Sequence, residues 1–578
     1  MNELPLSSRA SSQKAKRKNW MIRRMAVPKS ASPVESEIFE FFKESDPSGA
    51  YISGLNEYAG KIFIPSRRNL EKVSKRVDEL RMKAENESQL KVLDSFAAWF
   101  GLGEPHMAPE SVLNAYFGYM IKEGIVTSHM KALTRNGIRA MQSATVEAAG
   151  KEWPTGLRLL ALIRTDGLQE IIKTIRKETP DKELKKSLDD LAEATRKFAS
   201  IFRIKGFKNQ GFEEVYKIIK KQGADLGRKE IYAQALKRLW DYSETPAELE
   251  EKGLRYLERE LPKFQRMTAR LAKKYGVKPS AEKVSEVIKQ KRAVKVNEII
   301  PYLADLRKRV VKVVNKTIVK VNPKYDAKVM ETPSYLTAIF PSGGAYFFDN
   351  FTNKPQQLFI CTTDPRRDPS TAPGELLNLL IHEEYGHCVH ASNSSVAYGA
   401  KPTLIDMLWS PLGSMSEGIS FQREIEFQDV LEKLQTRKGL NADEKSLVNF
   451  YEKHGGFDAI VEEYEFYTWM WRIVRFLRII GDARINSGRQ SLVDFIEWAN
   501  KKTGLSKSMV YHQLFPAHQG NGPGYASTYA VIGESIREIQ NKALRNGKKL
   551  LDFNTFACSM GFPGRSIFED RLRTFATK

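Results

Sequence analysis

The sequence predicts a mainly α-helical body with one small β element, and three observations carry that expectation. Residues 64 to about 330 read as helix after helix, with apolar residues at spacings of three and four. Near residue 333 the composition switches to aromatic and β-branched residues punctuated by Gly and Pro. After about residue 392 the helical pattern returns, interrupted by a Gly-rich loop at GNGPGYASTY.

Taken in order, residues 1–33 form a basic flexible tail, MNELPLSSRASSQKAKRKNWMIRRM and beyond, without the apolar core of a secretory signal. Residues 34–332 form a helical region, and 333–578 a second region continuous with it in one body. In LEKVSKRVDEL, Leu70, Val73, Val77 and Leu80 share one face. In LKKSLDDLAEATRKFASIF, Leu184, Leu188, Leu191, Ala194 and Phe198 repeat the pattern. Short strands are expected at 336–340, 345–349 and 357–363, with NFTNKP as a turn. Ser370, Thr371 and Pro373 mark the start of a helix over 374–392.

The 578 residues include 41% apolar side chains, enough for an extensive core. Three cysteines far apart in sequence, one of them left over, argue against a disulfide framework and fit a reducing interior; cytoplasmic residence is the expectation. No run of about 18 apolar residues is present, so no membrane partner is expected. The net charge is +22, but basic residues alternate with acids, as in KETPDKELKKSLDD. No nucleic-acid-binding motif accompanies them, and no dedicated nucleic-acid site is expected.

The stretch LLIHEEYGHCVH, residues 379–390, carries the chemistry. His382-Glu383 resembles the start of an H-E-x-x-H zinc helix, but His387 follows His382 by five residues, not four. On a regular α-helix, residues five apart diverge by about 140°. One π-turn restores their alignment, and Gly386 eases the departure from α geometry. Two accounts stand on these residues alone: a metal site with a π-turn, or a helix with polar residues on a solvated face. The apolar LLNLLI before His382 argues for burial, and buried polar clusters need partners.

Glu417 in SMSEGISFQREIEF is the candidate third ligand, with Glu424 two turns on as a group that orients His382 or His387. A first-turn glutamate favoured by the helix dipole is the other account of Glu417. In the loop, His518, Tyr525 and Tyr529 gather beside Gly520, Gly522 and Gly524. They are either oxyanion donors with a loop that approaches a substrate, or a turn flanked by core tyrosines.

Together these clusters resemble the largely helical metallopeptidases that include carboxypeptidase Taq and the thimet oligopeptidase/oligoendopeptidase F group. They also resemble a family of unknown function with HExxPGHHxQ, EGWAxYxE and PGQALSYxxG segments. The matching segments here are HEEYGHCVH at 382–390, EGISFQRE at 417–424 and PGYASTYAVIG at 523–533. The His–His spacing of five departs from both and equals that of the HExxGH helix of dipeptidyl peptidase three. Tyr525 stands in place of the family's Gln and Ile419 in place of its Trp.

The resemblance implies two helical lobes around a deep channel, with a small sheet next to the metal-binding helix. It implies a zinc peptidase acting on short peptides, of carboxypeptidase or oligopeptidase type. One zinc ion would sit on His382, His387 and Glu417. Glu383 would be the general base, His518 and Tyr529 the oxyanion donors, and Tyr525 and Gly524 would contact substrate, with Glu424 behind the ligands. The strand within 356–364 is expected as an edge that pairs with an extended peptide. His390 and Cys388 are structural, with His390 the alternative ligand. Arg366, Arg367 and Arg537 are open candidates for meeting a substrate carboxylate, and exposed loop charges are the favoured account of Arg366 and Arg367. The alternatives are a catalytically silent peptide-binding relative, a carboxylate–histidine site built on Glu384-x-x-His387, and a nucleic-acid-associated protein using the tail.

Overall fold

A computed structural model describes residues 31–208, 211–337, 340, 342–352, 354–365, 369–396, 398, 400–408 and 410–578. Residues 1–30 of the expected basic tail, the expected strand residues 338 and 339, and Arg366 and Arg367 lie outside the described residues, and the tail's expected end at 33 is corrected by a helix that starts at Pro33. The chain is mainly helical with one small sheet.

The first helix, Pro33–Ser45, opens with a reciprocal capping box between Ser32 and Glu35. Helix Lys182–Ile201 is capped by Asp181, whose side chain accepts from the Leu184 amide. It buries Leu184, Leu188, Leu191, Ala194 and Phe198, the face that the spacing predicts. Helix Arg67–Lys83 buries Val73, Val77 and Leu80, while Leu70 is half-buried.

Two large cores cross the 332/333 boundary. In one, helices Phe212–Gln222, Tyr232–Trp240 and Pro246–Tyr275 pack with the C-terminal half of helix Phe457–Asn486. In the other, helix Ile299–Thr317 packs against residues from 359 to 576, including Phe457, Ile460 and Tyr464 from the start of helix Phe457–Asn486. That helix therefore belongs to both cores. It is buried around its circumference rather than along one stripe.

The sheet has three strands: β1 (Ala327–Glu331), β2 (Gly343–Phe348) and β3 (Gln356–Cys361), in the order β1-β3-β2. β3 runs parallel to β1 and antiparallel to β2. Two expectations are corrected here. β1 lies in a stretch read as helical. Its partner is a parallel strand far along the chain, so no hairpin signal marks it. β3 is the central strand, with both sides paired, and offers no edge to an extended peptide. The expected strand at 336–340 is replaced at its start by a 3-10 turn, Ser334–Leu336.

Among the described residues no helix is long and apolar enough to cross a membrane. The three cysteines are free and buried.

Candidate metal centre

Helix Pro373–Leu380 starts with Pro at its first position. Its N-cap is Ala372, not Ser370 or Thr371, and no side chain caps it. At Ile381 the chain passes into eight residues of π-helix, Ile381–Cys388, and then into helix Val389–Ser395. The i→i+5 pattern is a full segment rather than one turn. It brings His382 and His387 together, with ring centroids 5.1 Å apart.

Gly386 has a different reason from the one its flexibility suggests. A Cβ there would lie 2.1 Å from Ser420 Oγ and 2.6 Å from Ser420 Cα. The residue is a glycine because helix Ser416–Gln435 crosses the π segment at that point.

The crossing delivers Glu417, in the first turn of that helix. Glu417 Oε2 lies 3.1 Å from His387 Nε2 and 3.5 Å from His382 Nε2. One ligand atom from each of the three residues falls within 4.8 Å of the others. Each histidine's other ring nitrogen is held from behind. His382 Nδ1 is 2.8 Å from Glu424 Oε1, and His387 Nδ1 is 3.1 Å from Ser416 Oγ. Glu424 is in turn held by Arg475, which donates Nη1 to Oε2 at 2.8 Å and places Nη2 2.7 Å from Oε1. Tyr464 donates its hydroxyl to the Glu424 carbonyl.

Charge follows from these contacts. Burial opposes charge on His382, yet its hydrogen bonds to Glu417 and Glu424 outweigh burial and raise its pKa to about 9. Burial likewise opposes ionisation of Glu417, but His387 and His382 hold its pKa well below the ordinary value. Glu383 is different. Burial dominates and raises its pKa, and its carboxylate has no hydrogen-bond partner among the described residues.

The loop residues surround the same cluster. His518 Nε2 is 3.2 Å from the Tyr529 hydroxyl, and the Tyr529 ring stacks with His382 at 6.1 Å between centroids. Burial first, and then the charge of Arg478, push the His518 pKa far down, so the ring is neutral. Tyr525 donates its hydroxyl to Glu417 Oε1 at 2.7 Å. The structure thus puts Tyr525 on a candidate ligand, where a substrate contact was expected. Gly524, with φ +99°, faces the Trp240 indole, which a Cβ would meet at 2.5 Å. Its neighbour is a core tryptophan rather than the metal cluster.

Other residues in the motif serve structure. Glu384 makes a two-pronged pair with Arg307 at 2.7 and 2.8 Å, which removes it as the ligand of a carboxylate–histidine site. His390 Nε2 is 2.7 Å from the Gly561 carbonyl, and burial lowers its pKa to about 3. Cys388 is buried and its thiol pKa is raised by that burial.

Sequence reasoning missed Arg475 and Arg478. The signal was present in WRIVRFLRII: three arginines at spacings of three in an apolar run that must be buried, each needing a partner.

No family model matches the chain, and no curated protein matches it. Two solved structures match nearly its whole length. One is described as a "putative lipoprotein" from Colwellia psychrerythraea. It has a TM-score of 0.62 and 11% identity, covering 94% of this chain and 98% of that one. The other is described as a "putative lipoprotein of unknown function" from Shewanella oneidensis. It has a TM-score of 0.63 and 15% identity, covering 93% and 98%. At these identities the likeness is one of fold. Neither is described as a peptidase. This corrects the resemblance to the zinc metallopeptidases, and with it the carboxypeptidase or oligopeptidase activity on short peptides. The alternative of a silent peptidase-like peptide binder falls with that resemblance.

Proposed function

We propose that the chain is a metal-dependent hydrolase that holds one zinc ion on His382, His387 and Glu417 and acts at a carbonyl centre. The observation that carries this reading is that His382, His387 and Glu417 each offer a ligand atom within 4.8 Å of the others, with Glu417 Oε2 beside both Nε2 atoms. The donor set suits zinc. On a tetrahedral ion with bonds of about 2.0–2.1 Å, ligand atoms sit roughly 3.3 Å apart. The two separations here, 3.1 and 3.5 Å, bracket that value. Both imidazoles are oriented from behind, by Glu424 and Ser416, as metal-bound histidines are.

When bound, zinc supplies Lewis-acid polarisation of a water and of the substrate carbonyl. Glu383, buried beside the ligands with a raised pKa, accepts the proton of the attacking water and returns it to the leaving group. Burial, and then the nearby Glu417, keep the Tyr529 hydroxyl protonated, so it donates to a developing oxyanion, with neutral His518 positioning it. Tyr525 pins Glu417 and thereby orients a ligand. In this reading substrate arrives through a channel between two helical lobes.

The experiment is metal content by elemental mass spectrometry, joined to a screen of activated esters and lactones. Wild type should carry near one zinc per chain, and His387→Ala should carry none. Glu383→Gln should keep the zinc and lose about 10²–10⁴-fold in hydrolysis. Glu383→Gln with wild-type turnover, or a wild type that takes up no zinc, contradicts the proposal.

A further inference from the structure

Helix Phe457–Asn486 carries three buried arginines at consecutive spacings of three: Arg472, Arg475 and Arg478. Two are neutralised. Arg472 pairs with Glu534, and Arg475 with Glu424. The third has no carboxylate partner among the described residues. Arg478 donates Nε to the Gln513 carbonyl at 3.0 Å and Nη2 to Gln513 Oε1 at 2.5 Å. Both acceptors are neutral.

A buried guanidinium without a counter-charge is costly and stays charged. Burial lowers the Arg478 pKa only to about 10, so the group remains a cation at neutral pH. Its position is specific. The guanidinium lies 4.7 Å over the Tyr529 ring, whose hydroxyl meets His518 and whose face stacks with His382. A positive charge with no directly paired carboxylate among the described residues thus sits one side chain away from the candidate metal ligands. The Nη1 end of its fork has no hydrogen-bond partner among the described residues.

Arg475 is matched by the Glu424 carboxylate, whereas Arg478 meets only the two neutral oxygens of Gln513, so one unmatched guanidinium faces the candidate ligands and suits a single carboxylate.

We propose that Arg478 is the receptor for a carboxylate on the substrate, so that the site selects compounds bearing one carboxylate near the reacting carbonyl. This rests on the metal-centre reading above. The carboxylate accepts from the free end of the guanidinium fork, in the planar geometry that suits arginine better than lysine.

Acetate is the probe, with neutral acetamide as its isostere and inorganic phosphate as the dianion. Binding to full-length protein is followed by calorimetry, with zinc content measured on the same samples. Zinc-loaded wild type should bind acetate at least tenfold more tightly than acetamide or phosphate. Arg478→Gln should lose that preference while keeping its zinc, and Arg478→Lys should recover part of it. Gln513→Leu removes a side-chain acceptor of Arg478 but leaves the cation, and should keep the preference. If Arg478 serves only to brace Gln513, the two variants behave alike, which overturns the inference. Unchanged acetate binding in zinc-replete Arg478→Gln also overturns it and leaves the metal reading intact. A wild type without zinc that still binds acetate through Arg478 does the reverse. Absence of acetate binding in zinc-loaded wild type overturns the carboxylate assignment alone.

Discussion

Helix Lys182–Ile201 and helix Phe457–Asn486 solve opposite problems. The first buries one stripe, apolar but for Thr195, and turns a charged face to water, where Arg196 pairs with Glu193. The second is buried along nearly all its length and still carries Arg472, Arg475, Arg478 and Asp482 into the core. Each of those side chains forces a partner into place: Glu534, Glu424, Gln513, and the set of Tyr232, Ser527 and Gln519 around Asp482. The first helix is built from hydrophobic periodicity, the second from satisfying polar groups that water cannot reach. The candidate site hangs from the second.

That contrast predicts where substitutions hurt. The largest effect is expected from Glu424→Ala. It strands the Arg475 guanidinium in the core and releases His382, so it should cost about 3–5 kcal/mol of stability. It should also weaken zinc binding about 10–100-fold. Chemical denaturation and a competitive chelator titration read the two effects separately. A loss below about 1 kcal/mol would show that Arg475 finds another partner.

A smaller effect should follow Gly386→Ala, which drives a methyl group into Ser420 and costs about 1–3 kcal/mol. Adding Ser420→Gly should recover only part of that loss, since the Ser420 Cα is itself within 2.6 Å. Full recovery would mean the hydroxyl alone sets the helix crossing. The smallest effect is expected on helix Lys182–Ile201. Glu193→Ala removes an ion pair in which both side chains are half-exposed, and the shift in denaturation midpoint should correspond to less than about 1 kcal/mol.

The same contrast explains what the sequence made legible. Leu184, Leu188, Leu191, Ala194 and Phe198 declare their helix because one face meets water and the other does not. His382 and His387 declared the need for i→i+5 geometry through their spacing, and Glu417 and Glu424 were legible as carboxylates opening the next helix. Arg475 and Arg478 were not read, because a helix buried all round has no polar face to contrast with its apolar one. β1 was missed because its partner is remote and parallel. Gly386 and Gly524 were recognisable as special, but Ser420 and Trp240, which make them so, come from other elements. The motifs drew a peptidase resemblance that the solved structures did not support, because short motifs record local geometry and leave substrate unspecified.

The most direct test of the account is X-ray absorption spectroscopy at the zinc edge on the zinc-loaded chain. The account predicts a first shell of nitrogen and oxygen only, at about 2.0–2.1 Å, with the scattering signature of two imidazoles, reduced to one in His387→Ala. A sulfur ligand, or a wild-type shell with a single imidazole, would mean that the π segment does not bring His382 and His387 onto one ion.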